Sequence, residues 1–224
     1  MTEDKAPERT VIECPAGSLV GTRAGDVERY RGIPYALAPL GNLRFAPPRT
    51  APAWDGLLDA THFGAASAQN ASAMETMLGQ QRIIQSEDCL FLNIWAPSAE
   101  PDAGNRRPVM VWIHGGAFVT GSGSTPWYDG AAFARNHDVV VVTLNYRLGA
   151  LGFLHLGDIG GERFAGSGNA GLLDQTAALG WVRDNIEAFG GDASNVTIFG
   201  ESAGGMSVGA HLGLPASDGL FHKA

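Results

Sequence analysis

A serine between two glycines is the first place in this sequence where residue types and spacing could do chemistry. Residues 200–204 read Gly-Glu-Ser-Ala-Gly and fit the pattern G-x-S-x-G. In a nucleophile elbow this pattern forms a sharp strand-to-helix turn, where crowding by the neighbouring chain requires small flanking residues. The apolar stretch Val196–Phe199 before it predicts the strand. We therefore predict that Ser202 is a nucleophile; the alternative is a glycine-rich turn with a bystander serine.

A second glycine-rich motif argues against that alternative. Residues 112–118 read Trp-Ile-His-Gly-Gly-Ala-Phe and follow a predicted strand. Elements of this HGGG type supply backbone amides to the oxyanion hole of lipases and esterases. Several N–H groups can converge on one point only where side chains are small. We predict that the amides of Gly116, Ala117 and Ala203 form the hole. His114 is interpreted as a strand-end histidine whose ring stiffens the loop.

The elements around these motifs alternate between strand and helix. Three short apolar runs, Leu90–Trp95, Val109–Ile113 and Val139–Leu144, are typical of buried strands. Leu172–Ile186 has the periodicity of a helix, with Asn169 placed to cap its start. This alternation predicts an α/β fold with a largely parallel sheet.

The first third of the chain has a different pattern. Thr10–Glu13, Leu19–Arg23 and Val27–Tyr30 are predicted strands separated by turn residues. Five prolines make the stretch from Pro34 to Pro52 irregular. A short helix is predicted near Met74–Ile84.

Composition excludes several classes of partner. The 224 residues carry a net charge of −8 and no basic run, so nucleic acid is not expected as a partner. No apolar run approaches the length of a membrane span, and the first ten residues lack the features of a signal peptide, so we expect a cytoplasmic protein. Cys14 and Cys89 lack metal-ligand spacing. Residues 166–171 match G-x-G-x-x-G without a preceding strand, so we expect neither metal nor cofactor.

Further blocks of the chain resemble the type B carboxylesterases, a branch of the α/β-hydrolases that includes bacterial para-nitrobenzyl esterases. The blocks are residues 31–36, 43–48, 86–94, 145–149, 168–185 and 189–192. The resemblance implies an α/β-hydrolase fold, with a mostly parallel central sheet flanked by helices and a small N-terminal antiparallel sheet. It also implies a carboxylesterase, that is, a serine hydrolase acting on a small-molecule ester.

The resemblance implies roles for the motif serine, for the glutamate beside it and for four further charged residues. Ser202 would attack the ester carbonyl and form an acyl-enzyme, which water then releases. Glu201 would be a buried carboxylate that stabilises a cationic histidine. Two ion pairs, Arg44–Glu87 and Arg147–Asp174, would be structural.

Two features bear on compartment and substrate. In secreted relatives the cysteine at the position of Cys89 closes a disulfide, but residues 61–88 contain no cysteine, so we expect a free buried thiol. No aromatic residue occurs between Phe63 and Phe91, where cholinesterases place a ring that binds the quaternary ammonium. We therefore expect neutral aryl or short-chain esters.

The general base of such a hydrolase is not apparent. The order Ser, then Asp or Glu, then His is expected, and only His211 and His222 follow Ser202. We interpret His211 as a helix-surface residue. His222, with Asp218, follows the expected order, but it would have to fold back across a whole helix to reach Ser202. Residues 1–224 are therefore predicted to be the N-terminal part of a single catalytic domain, with a C-terminal portion of the same enzyme as partner. A non-catalytic interaction protein, or a lipase or amidase on the same fold, remain alternatives.

Overall fold

One mixed sheet organises the described part of the chain. The computed structural model describes residues 7–71, 83–99 and 105–224. The strands are β1 Glu8–Cys14, β2 Gly17–Ala24, β3 Val27–Pro34, β4 Leu57–Asp59, β5 Ala66–Ser67, β6 Gln85–Ser86, β7 Phe91–Pro97, β8 Arg107–Ile113, β9 Val140–Leu144 and β10 Gly191–Gly200. The main sheet has the order β1-β2-β3-β7-β9-β8-β10, with β4 paired to β2, while β5 and β6 pair separately.

The strand directions divide this sheet into two halves. β1, β2, β3, β7 and β9 pair antiparallel in succession, whereas β9, β8 and β10 are parallel. The α/β-hydrolase fold class is confirmed, but the sheet expected to be mostly parallel is mixed within the described residues: four of the six neighbouring strand pairs along it are antiparallel and two are parallel. The antiparallel strands near the N-terminus do not form a sheet of their own, because β3 pairs with β7, with Tyr30 opposite Ile94. The parallel half matters for the site, since parallel strands bring their carboxyl ends to one edge.

Five α-helices of the described residues connect the strands. They are α1 Ala131–His137, α2 Gly149–Phe153, α3 Gly157–Gly160, α4 Ala170–Asn185 and α5 Ala203–His211. The helix predicted at Leu172–Ile186 is confirmed as α4, but the Asn169 side chain does not cap it, because Ser167–Asn169 forms a 3₁₀ turn that leads directly into the helix. The helix predicted near Met74–Ile84 lies largely outside the described residues. No helix in the described ranges combines the length and the apolar character needed to span a bilayer.

The core lies on both faces of the sheet. On one face, alternate residues of β8 such as Val109 and Val111 belong to the same buried cluster as Leu179 and Val182 of α4. On the other face, Trp95 and Val141 form a smaller buried cluster with residues of α1. The alternation of strand residues between two apolar layers explains why these strands read as continuous apolar runs.

The two ion pairs implied by the family resemblance are present. Arg147 follows β9, and its guanidinium donates to both carboxylate oxygens of Asp174 in α4, each at 2.7 Å; both residues are buried. The backbone N–H of Arg147 also bonds this carboxylate, at 3.0 Å. Arg44 and Glu87 form a second two-bonded pair at the surface. The buried pair joins the end of β9 to α4 and is bonded only within the scaffold, which suits a structural role.

Replacing Asp174 by Asn should strongly destabilise the protein, because it leaves the buried Arg147 guanidinium without its counter-charge. Losing one partner of a buried pair costs about 3–5 kcal/mol. The matched control is Asp184→Asn, which removes half of an exposed pair with Arg183 and should leave the urea midpoint nearly unchanged. Equal urea-unfolding curves for the two variants would contradict the assignment.

Candidate active site

The serine motif lies on a sharp turn between β10 and α5. Ser202 has φ +54° and ψ −122°, a conformation that a residue with a side chain rarely adopts. The two glycines of the motif are required by space: a Cβ on Gly204 would lie 2.0 Å from the carbonyl oxygen of Ile113, and one on Gly200 would lie 2.5 Å from the carbonyl carbon of Gly204. Strand, strained serine and helix therefore follow each other as the motif predicts.

The second motif meets this turn at the same edge of the sheet. β8 and β10 are parallel neighbours, with Ile113 opposite Gly200. The turn after β8 therefore begins beside the serine. A Cβ on Gly115 would lie 3.2 Å from the Cβ of Ser202 and 2.6 Å from the carbonyl oxygen of Glu201. The two segments, separated by more than eighty residues in the sequence, are in direct contact.

Hydrogen bonds to two carbonyl groups fix the direction of the turn's amides. The oxygen of Gly115 lies 2.8 Å from the Nδ1 atom of His114, and the oxygen of Gly116 accepts from the N–H groups of Val119 and Thr120, both at 3.0 Å. In a trans peptide the next N–H points opposite to the carbonyl. The amides of Gly116 and Ala117 therefore point away from these partners, and neither is hydrogen-bonded within the described residues.

The buried ring of His114 packs beneath the turn after β8 and bonds its backbone. Its ring is buried and stacks on Tyr146 with the centroids 4.4 Å apart, while the Tyr146 hydroxyl donates to the His114 carbonyl at 2.8 Å. Burial lowers the pKa of His114 to about 4, so the ring is neutral at pH 7. A neutral ring that bonds the Gly115 oxygen must carry its proton on Nδ1. The interpretation of His114 as a loop-stiffening residue is confirmed.

Glu201 is exposed within the described residues. These residues do not supply the burial that the family resemblance implies for its carboxylate, so that burial stays a prediction for the longer protein. One of its carboxylate oxygens lies 2.8 Å from the position that a Cβ on Gly115 would take. The side chain therefore lies beside the turn, at the open carboxyl edge of the sheet, and the described residues leave it accessible to water.

His211 is buried, so its interpretation as a helix-surface residue is wrong. Its Nε2 atom lies 2.9 Å from Oε1 of Gln175 in α4, and its Nδ1 atom lies 2.8 Å from the hydroxyl of Ser217. The Gln175 amide in turn donates to Ser207 at 3.1 Å. Helix α4 and the turn after α5 cover a side chain that would be exposed on an isolated helix. Burial lowers its pKa to about 4.

His222 lies against the middle of β10. Its ring Nδ1 atom accepts from the backbone N–H of Val196 at 3.2 Å, and the backbone N–H of His222 donates to the Val196 carbonyl at 2.8 Å. Val196 precedes Gly200 by four strand residues, so this ring is held away from the elbow. Within the described residues no hydrogen bond joins Ser202 to any histidine. The same residues contain no group of three side chains that could hold a metal ion.

Cys89 is a free, fully buried thiol, as expected from the absence of an upstream cysteine. Burial raises its pKa to about 12. The nearby Ser67 hydroxyl, which accepts from the N–H of Leu148 at 3.1 Å, acts in the opposite direction and lowers the pKa of the thiol. Ser67 therefore occupies the place from which a second cysteine could reach Cys89.

With this geometry established, comparison with known proteins assigns the chain to a family. The model of the carboxylesterase family matches residues 8–224. The chain belongs to the carboxylesterase family. The chain is 50% identical over 214 residues to the para-nitrobenzyl esterase of Bacillus subtilis, and 51% identical over 216 residues to a cocaine esterase of Oryctolagus cuniculus. These alignments cover 96% and 93% of the chain.

A solved carboxylesterase agrees with this assignment. The structure of a carboxylesterase from Geobacillus stearothermophilus superposes with a TM-score of 0.86 at 55% identity, over 96% of this chain and 42% of that one. The two curated relatives are likewise covered over only 42% and 39% of their length. This carboxylesterase-family chain thus spans about two fifths of the proteins it matches.

Sequence reasoning missed several residues that shape the site. Tyr146 and Thr120 hold the turn after β8 through bonds to the carbonyls of His114 and Gly116. Gln69, far upstream, bonds the backbone of Gly121. None of them stands in a motif that specifies its partner, and the contacts depend on chain segments that only the fold brings together.

The burial of His211 predicts a loss of stability in acid. The folded pKa of about 4 lies below the ordinary 6.5, so the stabilisation is complete above about pH 6.5 and is lost as the pH falls towards 4. At pH 5 the loss from this group is about 2 kcal/mol. The variant His211→Gln should therefore lose less stability than the wild type between about pH 7 and 5. Urea unfolding at both pH values measures this, with exposed His137→Gln as control; equal losses in all three proteins would refute it.

The contact between Ser67 and Cys89 predicts a disulfide. The variant Ser67→Cys, purified without reductant, should pair with Cys89, because the buried Ser67 side chain lies close enough to the thiol to influence its pKa. Thiol titration after denaturation should then find only Cys14 free. The neighbouring variant Ala68→Cys is the control: Ala68 directly follows β5 and is exposed, so all three thiols should react. A reactive Cys89 in Ser67→Cys would disprove the predicted geometry.

Proposed function

We propose that this chain supplies the nucleophile and the oxyanion hole of a serine carboxylic-ester hydrolase. The observation that carries the proposal is the close approach of Gly115 to Ser202, which sets the turn after β8 against the strained serine: a Cβ on Gly115 would lie 3.2 Å from the Cβ of Ser202. Family membership supports the class of reaction. The same contact is difficult to explain for a bystander serine, because three glycines are needed to permit it.

The proposed reaction begins with attack by the Ser202 hydroxyl oxygen on the ester carbonyl carbon. The serine proton passes to a histidine base as the new C–O bond forms, and the carbonyl oxygen becomes an oxyanion. The N–H groups of Gly116, Ala117 and Ala203 stabilise this charge, aided by the positive end of the α5 dipole. The alcohol leaves with the transferred proton, and an acyl-enzyme remains.

Water completes the cycle. The base takes a proton from water, whose oxygen attacks the acyl carbon, and the same amides stabilise the second oxyanion. The bond to the Ser202 oxygen then breaks, serine regains its proton and the carboxylic acid is released. Glu201 lies beside the elbow, and its charge would stabilise the histidine when that ring is protonated.

We propose that the acid and the histidine base come from a C-terminal portion of the same enzyme. Residues 1–224 would then be the N-terminal part of a single catalytic domain. The described histidines do not reach Ser202, and the chain covers 42% of its bacterial relative. The proposed portion would also cover apolar side chains near the elbow that are now exposed, Met206 at 68% and Leu212 at 67%.

Neutral aryl or short-chain esters are the proposed substrates. The Bacillus subtilis relative is named for para-nitrobenzyl esters, whose alcohol portion carries an aromatic ring, and this supports an uncharged ester that bears such a ring. The absence of aromatic residues between Phe63 and Phe91 disfavours choline esters. Cytoplasmic location stays a prediction from the first residues of the sequence.

Removing the proposed nucleophile should abolish hydrolysis. Ser202→Ala should lower kcat for p-nitrophenyl acetate by about 10⁴-fold or more, because no other group can form the acyl-enzyme. A fluorophosphonate probe should label wild type at Ser202 and fail to label the variant. The assay uses the 224-residue chain alone and after mixing with a separately produced C-terminal portion. His222→Asn is the matched control, and it should retain full activity.

The possible results separate the proposal from its alternatives. Activity only in the mixture supports a base supplied by the C-terminal portion. Full activity of the 224-residue chain alone would refute that part of the proposal. A completed protein that neither hydrolyses esters nor accepts the probe would instead indicate an interaction protein on this fold, and a preference for amides or long-chain esters would indicate an amidase or a lipase.

A further inference from the structure

The side chain of Gln69 holds Gly121, a residue of the turn after β8, by bonding both the N–H and the carbonyl of Gly121. Its Oε1 atom accepts from the N–H of Gly121 at 2.7 Å, and its Nε2 atom donates to the carbonyl of Gly121 at 2.8 Å. The same Nε2 atom donates to the carbonyl of Ser67 at 3.0 Å. The amide thus accepts one hydrogen bond and donates two. This fixes its orientation, because exchanging its oxygen and nitrogen would place donor against donor and acceptor against acceptor.

The backbone held by Gln69 lies against the groups that orient the Gly116 amide. Gly121 is buried and has φ +114°, a conformation that favours glycine. A Cβ there would lie 2.4 Å from Nδ1 of His114 and 2.6 Å from the carbonyl oxygen of Gly115. Displacement of Gly121 would therefore displace the hydrogen bond between His114 and Gly115, whose peptide unit carries the Gly116 N–H.

The other tethers of this turn act at different points. Phe118 accepts from the N–H of Gly149 at 2.7 Å, and the N–H of Gly123 donates to the Asn145 side chain at 2.8 Å. These bonds hold the tip and the far end of the turn to the segment that follows β9. Gln69 comes from a separate segment, after β5, and holds the part that touches His114.

We propose that Gln69 is a positioning residue for the oxyanion hole, acting through Gly121 and His114 on the direction of the Gly116 N–H. The proposal rests on the proposed function of the site. Gln69 itself touches no reacting atom. Its contribution would be made only when negative charge develops on the substrate oxygen, so its loss should lower kcat and leave KM close to its original value.

Two variants of Gln69 and one control test the proposal. Gln69→Met keeps the length of the side chain and removes all three hydrogen bonds. Gln69→Glu keeps the acceptor for the Gly121 N–H but sets a carboxylate against the Gly121 carbonyl. Gln85→Met is the control, because Gln85 bonds the backbone N–H of Gln69 at 3.1 Å and belongs to the strand paired with β5, without a bond to the turn.

The first measurement is amide hydrogen exchange of residues 115–121 and needs no activity. In Gln69→Met this segment should exchange at least about 10-fold faster than in wild type. The strand β8 should exchange as before, and Gln85→Met should resemble wild type in both segments. Unchanged exchange of residues 115–121 in Gln69→Met would overturn the proposal.

The second measurement is steady-state hydrolysis of p-nitrophenyl acetate by whichever form of the protein is active, alone or completed by its C-terminal portion. For Gln69→Met, kcat should fall about 10-fold and KM should change by less than about twofold, a smaller effect than deleting an oxyanion donor outright. For Gln69→Glu, the ratio of its kcat to that of wild type should rise as the pH falls from about 8 to 5.5, because a protonated carboxyl can again donate to Gly121.

The outcomes distinguish this proposal from the one on which it rests. Faster exchange with unchanged kcat, or a kcat ratio for Gln69→Glu that does not rise in acid, would overturn the role of Gln69 in catalysis. A wild type that hydrolyses no ester in any form, with faster exchange in Gln69→Met, would overturn the proposed function while supporting the positioning of the turn by Gln69.

Discussion

The close approach of two backbone turns, at the carboxyl ends of β8 and β10, is the constraint on which the rest of the site depends. Parallel pairing places Ile113 opposite Gly200, so the chain leaves both strands at one edge of the sheet. The gap between the two turns accepts no side chain, since Cβ atoms on Gly115 or Gly204 would overlap backbone atoms of the other segment. Glycine at these places is therefore a condition for the contact.

The direction of the two amides in the turn after β8 follows from the hydrogen bonds that the carbonyl groups of the same peptide units accept. Each proposed donor in the turn shares a peptide unit with a carbonyl that is already bonded, Gly115 to His114 and Gly116 to Val119 and Thr120. Since the peptide unit is planar, fixing the oxygen fixes the N–H. Such donors need little reorganisation when charge develops, which is the property required of an oxyanion hole. The neutral state of buried His114 is part of this arrangement, because a neutral ring costs less to bury than a charged one.

Buried polar groups in this chain serve the scaffold as well as the site, and their partners tell the two apart. Arg147 and Asp174 satisfy each other within the protein and tie β9 to α4. His211, Gln175 and Ser207 likewise bond to one another, to the hydroxyl of Ser217 and to the carbonyl of Ala203. By contrast, Ser202 and Glu201 are exposed at the sheet edge. Within the described ranges their side chains have no hydrogen-bond partner, so these groups at a strained turn are available to the proposed ester and to the proposed C-terminal portion.

The sequence by itself determined the longer strands, the long helix α4 and the two motifs, because hydrophobic periodicity and glycine spacing are local properties. It predicted the strand before Ser202, the helix α4 and the free thiol of Cys89, and the family resemblance added both ion pairs. Only the tertiary structure decided the burial of His211, the exposure of Glu201 and the bond from Gln69 to Gly121. These depend on which distant segments cover a side chain. The packing of whole helices and strands decides which segments cover a side chain, and the residue type and periodicity at one position do not predict this packing.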